Sequence, residues 1–364
     1  MEHSPKPPSF SAFPGSLQQF LAFPESSKIV LGARRSNARL IKDCDDMGPD
    51  VCTVEGRRKM EFSMYLDIAS RFLRPEDALI SLADVPESPG RKRLSKMVDR
   101  TWRWFDQTLK KGIKCKLYAS IPPVPKEYLA NYMDFVKNNI EHVTALVFYN
   151  CNLISESFGE LDKLPRVLIP PLQSPNAYLK LSQSIPAPML AVTNDFVTHA
   201  TDMGLALSSM EFLVANKRQG EEKEAVVGKE WQQQQKKKPL ALDLWDPVYS
   251  NAQESLMEEC KCHTCQTYSR AYICHLLNAK EMTAWVLLQI HNFYTWDKFI
   301  QNFNENEDSI QDVINYFAES YQDSLPEQSA NRGPRQKGYQ SFMGRPETAP
   351  ENSKSYTMHS KVTI

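Results

Sequence analysis

Three cysteines fall within six residues, Cys260, Cys262 and Cys265, in the pattern C-x-C-x-x-C. Thiolates this close together can wrap one ion, and zinc completes its tetrahedron with a fourth nitrogen or sulfur donor. That donor must come from elsewhere in the chain. His263 lies inside the loop, where chain reach makes it an awkward ligand, whereas His275 and His291 fall on a segment of helical period beginning near Ser269. His291 is the better placed, because it shares a helical face with Ala284, Leu287, Leu288 and Tyr294. A helix folding back over the loop would present its imidazole to the three sulfurs. The competing reading is a set of ordinary buried thiols beside a core histidine, which the flanking Glu258, Glu259 and Lys261 disfavour. Catalytic zinc needs an open coordination position and a nearby acid or base. No H-x-E pairing of the deaminase type occurs. The expected cofactor is therefore one structural Zn2+ held by Cys260, Cys262, Cys265 and His291.

Other chemistries find little support. Cys44, Cys52, Cys115, Cys151 and Cys274 are scattered and read as packed or surface thiols. No G-x-x-x-x-G-K-[ST], G-x-G-x-x-G or G-x-S-x-G motif is present, so phosphate-cradling loops and a serine elbow are not indicated.

The elements that must position the cluster alternate short β-branched runs with longer segments of helical period, the pattern of an α/β protein with a parallel sheet. Strands are expected at 28–31, 78–82, 114–120, 144–150, 166–169 and 189–193, and helices at 58–73, 91–111, 125–141 and 175–184. In 91–111, Leu94, Met97, Val98, Thr101, Trp102, Phe105 and Leu109 recur every three or four residues, which predicts one buried face. This count suits a (β/α)8 TIM-barrel-like fold incomplete at its N-terminus. A doubly wound open sheet would use the same local pattern.

The expected organisation is a poorly ordered extension at 1–27, TIM-barrel-like βα units at 28–215, and a disordered charged, Gln-rich insertion at 216–239. A zinc-binding module with C-terminal helices follows at 240–323, then a disordered tail at 324–364. Lys and Arg total 43 against 44 Asp and Glu, a net charge of -1, so any nucleic-acid contact must be local. No apolar stretch approaches the ~18 to 20 residues of a membrane span. The N-terminus MEHSPKPPSF carries no apolar secretory region, which points to a cytoplasmic protein.

The run from Cys260 to Asn292, with Ser269-Arg270-Ala271-Tyr272-Ile273, His275-Leu276-Leu277 and His291-Asn292, resembles the zinc-binding module of tRNA-guanine transglycosylases. That resemblance implies the same four ligands. Upstream, Val54-Glu55-Gly56-Arg57-Arg58 through Met60, and Val98-Asp99-Arg100, look like the accessory, non-catalytic subunits of eukaryotic queuine tRNA-ribosyltransferase. The likeness runs from about residue 28 to 322. The family fold is a (β/α)8 barrel whose first strands have no counterpart before Lys28, so the chain reads as N-terminally shortened.

Catalytic members of that family hold guanine with an Asp in F-D-E-C-T and with two glycine loops, and attack the ribose with an Asp in D-C-V-x-P-T-R. Here the corresponding stretches read Leu82-Ala83-Asp84-Val85, Ser120-Ile121-Pro122-Pro123 and Cys151-Asn152-Leu153. The nucleophile position, counted back from Gly204-Leu205-Ala206-Leu207, falls near Thr193 with Asp195 two residues on. A register shift would return a carboxylate at Asp84 or Asp195. The resemblance implies no catalytic residue in this chain and a heterodimer with the catalytic subunit, acting on tRNA and not on DNA, in exchange of guanine for queuine. A catalytically active transglycosylase and a tRNA-binding module without a part in base exchange are the alternatives. The segment 280–302, with Trp285, Leu288, Phe293, Trp296 and Phe299, is the expected docking helix.

Overall fold

The six expected parallel strands all form and lie side by side. They are β1 (Val30–Leu31), β5 (Ala78–Ile80), β6 (Lys116–Ile121), β7 (Val143–Phe148), β8 (Arg166–Leu168) and β9 (Leu190–Val192), joined in the order β1-β5-β6-β7-β8-β9. β2 (Cys44–Asp45), β3 (Gly48–Thr53) and β4 (Gly56–Lys59) form a separate antiparallel sheet between β1 and β5 in sequence. Every pair in the larger sheet is parallel, and Leu79 lies beside Leu117 while Phe148 lies beside Leu168. A doubly wound sheet reverses its strand order at a switch point. This sheet never reverses, which is the winding of an arc of a β/α barrel. The computed structural model describes residues 9–33, 44–53, 56–86, 89–149, 151–169, 174–187, 190–192, 195–210, 237–306 and 310–326.

Helices pack on one face of the arc: α2 (Phe62–Phe72), α3 (Arg91–Lys111) and α4 (Ala130–Asn138), with the short α1 (Leu17–Phe20) and α5 (Cys151–Ile154) beside them. Leu117, Ala119, Ile121, Leu146, Phe148 and Leu168 are buried with Met97 and Phe105 of α3 and Tyr132 and Val136 of α4. Trp104 is also deeply buried on α3 while Trp102 is only partly covered, because the helix is rotated slightly from the face that spacing alone suggests. Burying such side chains contributes about 1.5–3 kcal/mol each. α3 stops at Gly112, whose φ of 62° suits the left-handed turn after a helix. Its first turn carries Arg91, Lys92 and Arg93 and no acid, and each cation there opposes the helix dipole by about 0.3–1 kcal/mol.

Several expectations need correction. The helix expected at 58–73 begins at Phe62, because Arg58 and Lys59 belong to β4 and pair with Val51 and Asp50 of β3. The segment 125–141 is a 3-10 turn (Lys126–Tyr128), α4 and a second 3-10 turn (Ile140–His142). Within 1–27, expected to be loose, residues 9–27 are docked. Phe10 meets Phe72 edge-on at 5.2 Å, Leu17 is buried, and Arg74 donates to the carbonyls of Glu25 and Ser27. Of the insertion expected at 216–239, residues 216–236 lie outside the described residues, as do 327–364 of the expected tail. Lys238 belongs to the packed part, since its N–H donates to Ser320 and its carbonyl accepts from Gln322.

The boundary expected at 215 does not separate two units. α6 (Pro175–Ser184) and α7 (Asp195–Asp202) bury Tyr178, Leu179, Phe196 and Val197 against Trp296, Phe299 and Phe303 of α10 (Met282–Glu305) and Phe317 of α11 (Ile310–Ser320). After α7 the chain turns at Gly204, with φ of 73°, into β10 (Leu205–Leu207), which pairs antiparallel with β11 (Ala241–Asp243). A Cβ at Gly204 would collide with the Trp245 indole nitrogen, so both space and backbone require glycine there.

Candidate metal centre

The chain reaches the cluster through a turn in which the Cys260 N–H donates to Met257. Cys262 then caps α8 (His263–Thr267), its sulfur accepting from the Cys265 N–H at 3.3 Å. One helical turn carries Cys265 back to the same side as Cys262. α9 (Arg270–Ala279) follows, capped by the Ser269 hydroxyl, and ends at Lys280 in the left-handed conformation. That turn sends α10 back past the loop, and its third turn delivers His291.

The four side chains converge. Nδ1 of His291 lies 3.7, 3.6 and 3.2 Å from the sulfurs of Cys260, Cys262 and Cys265, and the four donor atoms all lie within 4.8 Å of one another. Bonds of about 2.3 Å to sulfur and about 2.0–2.1 Å to nitrogen put the S···N edge of a tetrahedron near 3.5 Å. The observed spacings match that edge, so the group can hold a metal ion. The cysteines are buried and His291 is fully enclosed.

The three sulfurs and the imidazole shift one another's protonation. Burial works against a Cys262 thiolate, but hydrogen bonds from His291, the Cys265 N–H and Cys260 prevail and bring the thiol down to about 6. At Cys265 burial prevails and pushes the thiol up. Burial also opposes a charged His291, yet the three sulfurs around Nδ1 hold its pKa well above the usual histidine value.

The outward nitrogen of His291 is fixed too. Nε2 lies 2.9 Å from the Leu207 carbonyl, which selects the tautomer leaving Nδ1 free to ligate. The adjacent Asn292 accepts from the Leu207 N–H at 2.8 Å and donates to the Leu205 carbonyl at 2.9 Å and the Thr201 hydroxyl at 3.0 Å. Ser208 and Gly204 bond across to Leu240 and Leu244, so Leu205 and Leu207 turn their polar groups away from β11. Two successive side chains of α10 therefore satisfy the free edge of β10. Spacing alone does not reveal this role of Asn292, because three-residue strands carry no readable period.

The other candidates lie elsewhere. His263 and His275 are exposed, and His263 sits edge-on to Tyr268. Cys274 is buried beside Asn278, and Cys44 and Cys115 are buried in a separate cluster under α2. The side chains of Cys52 and Cys151 lie outside the described residues.

Asp84 lies four residues past β5 and is completely buried, with Arg93 at 3.1 Å and Arg100 against the same carboxylate. Pro122 and Pro123 follow β6, and Cys151 begins α5 after β7. Thr193 lies outside the described residues, and Asp195 is the first residue of α7, its side chain likewise outside them.

A family model described as "Queuine tRNA-ribosyltransferase" matches residues 191–323. Over 338 residues the chain is 30% identical to a Schizosaccharomyces pombe protein named queuine tRNA-ribosyltransferase accessory subunit 2, covering 90% of this chain and 71% of that protein. The chain belongs to the queuine tRNA-ribosyltransferase family. An Anopheles gambiae protein, also named accessory subunit 2, is 26% identical over 76% of this chain and 65% of its own length. A Clostridium perfringens protein named queuine tRNA-ribosyltransferase is 24% identical over 76% of this chain and 72% of its own. The queuine tRNA-ribosyltransferase match begins inside β9 and runs past α11, so it takes in all four donor residues and the β10 edge that orients His291.

Proposed function

We propose that this chain is the non-catalytic subunit of a queuine tRNA-ribosyltransferase. It pairs with a catalytic subunit in the cytoplasm, adopts a (β/α)8 barrel architecture, and helps present tRNA for exchange of wobble guanine by queuine. The observation that carries this reading is the similarity across 90% of the chain to a protein named as an accessory subunit. Zn2+ is the metal that best suits three thiolates and an imidazole at tetrahedral spacing, and with no open position its role is to hold α8, α9 and α10 together.

Base exchange requires a carboxylate to displace guanine at the ribose C1′, forming a covalent tRNA intermediate, and a positioned group to handle the base proton. The residues at the strand ends are poorly suited to both tasks. Asp84 is neutralised by two guanidinium groups. Pro122 and Pro123 offer no N–H to a purine edge where glycines would. Thr193 has no carboxylate to attack with.

The docking face on α10 differs from the one spacing suggests. Leu288, Trp296 and Phe299 are core residues, and Trp285 is partly covered. Met282, Val286, Ile290 and Phe293 instead form an apolar stripe at four- and three-residue spacing, 78%, 54%, 38% and 36% exposed. An accessory subunit needs such a face covered in its complex, and the catalytic subunit is the occupant we assign to it. No described helix is long and apolar enough to cross a membrane and offer lipid instead. Co-purification tests the reading: Val286→Asp with Ile290→Asp should abolish assembly with the catalytic subunit while leaving the chain folded. Unchanged assembly would remove this surface from the proposal, and no assembly by the parent chain would remove the proposal itself.

A further inference from the structure

α3 carries a charge distribution that its own stability does not explain. Six of the chain's 43 Lys and Arg lie within residues 91–103: Arg91, Lys92, Arg93, Lys96, Arg100 and Arg103. The only acid in that stretch is Asp99. Asp84 faces Arg93 and Arg100, and Asp46 faces Arg100 and Arg103. Three carboxylates against six cations leave an excess of three positive charges on three turns of helix, in a chain whose overall net charge is -1. Arg91, Lys92 and Lys96 are exposed and have no ion-pair partner among the described residues. They also gather at the end of the helix whose dipole repels them.

Their place in the fold gives the excess a direction. Arg93 and Arg100 reach Asp84, just beyond the end of β5, so the cationic turns border the C-terminal ends of the parallel strands. That is the edge at which such sheets meet their ligands. We propose that the exposed face of α3 formed by Arg91, Lys92 and Lys96, backed by Arg93, Arg100 and Arg103, binds the phosphodiester backbone of tRNA. The proposal rests on the reading of this chain as a tRNA-handling subunit and names the surface that does the handling. Residues 91–103 span about 18 Å at 1.5 Å per residue, long enough to face several successive phosphates of one strand. Asp84 and Asp46 hold the inner arginines in ion pairs, which leaves Arg91, Lys92 and Lys96 as the unpaired cations of this face among the described residues. Binding of this kind carries no sequence information; it fixes position.

The test uses the full chain, alone and in complex with the catalytic subunit, and titrates a tRNA with guanine at its wobble position across a range of salt. One variant combines Arg91→Gln, Lys92→Gln and Lys96→Gln. Its control combines Lys110→Gln, Lys111→Gln and Lys114→Gln, which remove the same charge from exposed sites at the opposite end of α3. Each lost phosphate contact should lower affinity at 0.15 M salt about four- to sixfold and flatten the logarithmic salt dependence by about 0.7–0.9. The first variant should therefore bind roughly 60- to 200-fold more weakly if all three cations touch phosphate, and Lys96→Gln alone should show the single-contact loss. The control should bind like the parent. Because the first variant relieves repulsion at the helix dipole, it should melt no lower than the parent, which separates lost binding from lost folding.

Equal losses in both variants, or none in the first, would overturn the proposal. Intact tRNA binding with lost assembly would overturn it as well, by making this a protein-docking face. In each of those cases a parent complex that still binds tRNA and exchanges guanine leaves the accessory-subunit reading standing. A parent complex that binds no tRNA would overturn both together.

Discussion

Replacing Asn292 with alanine should unfasten β10 and weaken the metal centre without touching a ligand. Asn292 is fully buried and makes three hydrogen bonds. The Thr201 hydroxyl keeps its bond to the Val197 carbonyl when Asn292 is lost. The Leu207 N–H and the Leu205 carbonyl lose the partner that α10 supplies. At about 1–3 kcal/mol for each of the two buried groups left unpaired, Asn292→Ala should cost about 2–6 kcal/mol. The damage should also reach the metal, because the Leu207 carbonyl orients His291 through Nε2. Disturbing a partner of that kind typically costs ~10–100-fold in metal affinity. Urea unfolding measures the first effect, and competition with a chelator measures the second. A loss under about 1 kcal/mol with unchanged metal affinity would refute the claim that α10 side chains hold the free edge of β10.

Cys262→Ser should release the metal and raise hydrogen exchange across 256–299, since site formation in small zinc domains is worth roughly 10–16 kcal/mol; retention of a full equivalent of zinc would contradict the ligand assignment. Asp84→Ala leaves Arg93 and Arg100 facing an empty space and should destabilise the chain by about 3–5 kcal/mol, while complexes that still assemble keep their turnover. Lost turnover with unaltered stability would instead make Asp84 a chemical group. At acid pH, Asp162 should matter. Burial works against its carboxylate, but Ser157, the Phe158 N–H and Arg166 at 2.6 Å outweigh it and lower its pKa below the usual 3.8. The stabilisation is complete above about pH 4 and fades as pH falls through the lowered value. Urea unfolding should show less acid sensitivity in Asp162→Asn, and an identical acid profile would contradict this pairing.

The parallel strands and the cluster of three cysteines with His291 are readable in the sequence for different physical reasons. Buried on both faces, runs such as Val143–Phe148 leave near-continuous apolar stretches, and α3 shows its buried face through its period. The four converging side chains are readable because a donor set fit for a metal constrains residue type as well as spacing. The β3–β4 hairpin is not readable, because Arg57, Arg58 and Lys59 interrupt any apolar alternation. β10 and β11 are three residues each and stand because of Asn292, 85 positions from Leu207. Which face of α10 is core depends on α7 and β10 packing on it, and its nearly continuous apolar first turns cannot announce that in advance. The fate of Asp84 is likewise tertiary, since one carboxylate among three residues of a loop gives no sign of the two arginines closing on it.

The measurement that decides whether this chain is a non-catalytic partner is guanine exchange into tRNA, followed with labelled guanine for the isolated chain, for its complex with the catalytic subunit, and for the complex carrying Asp195→Ala. The isolated chain should incorporate no label and trap no covalent tRNA adduct, the complex should turn over, and Asp195→Ala should leave that turnover nearly unchanged. Removing a true nucleophile deletes the covalent step, so loss of turnover in Asp195→Ala, with assembly and tRNA binding intact, would show that this chain performs the chemistry itself.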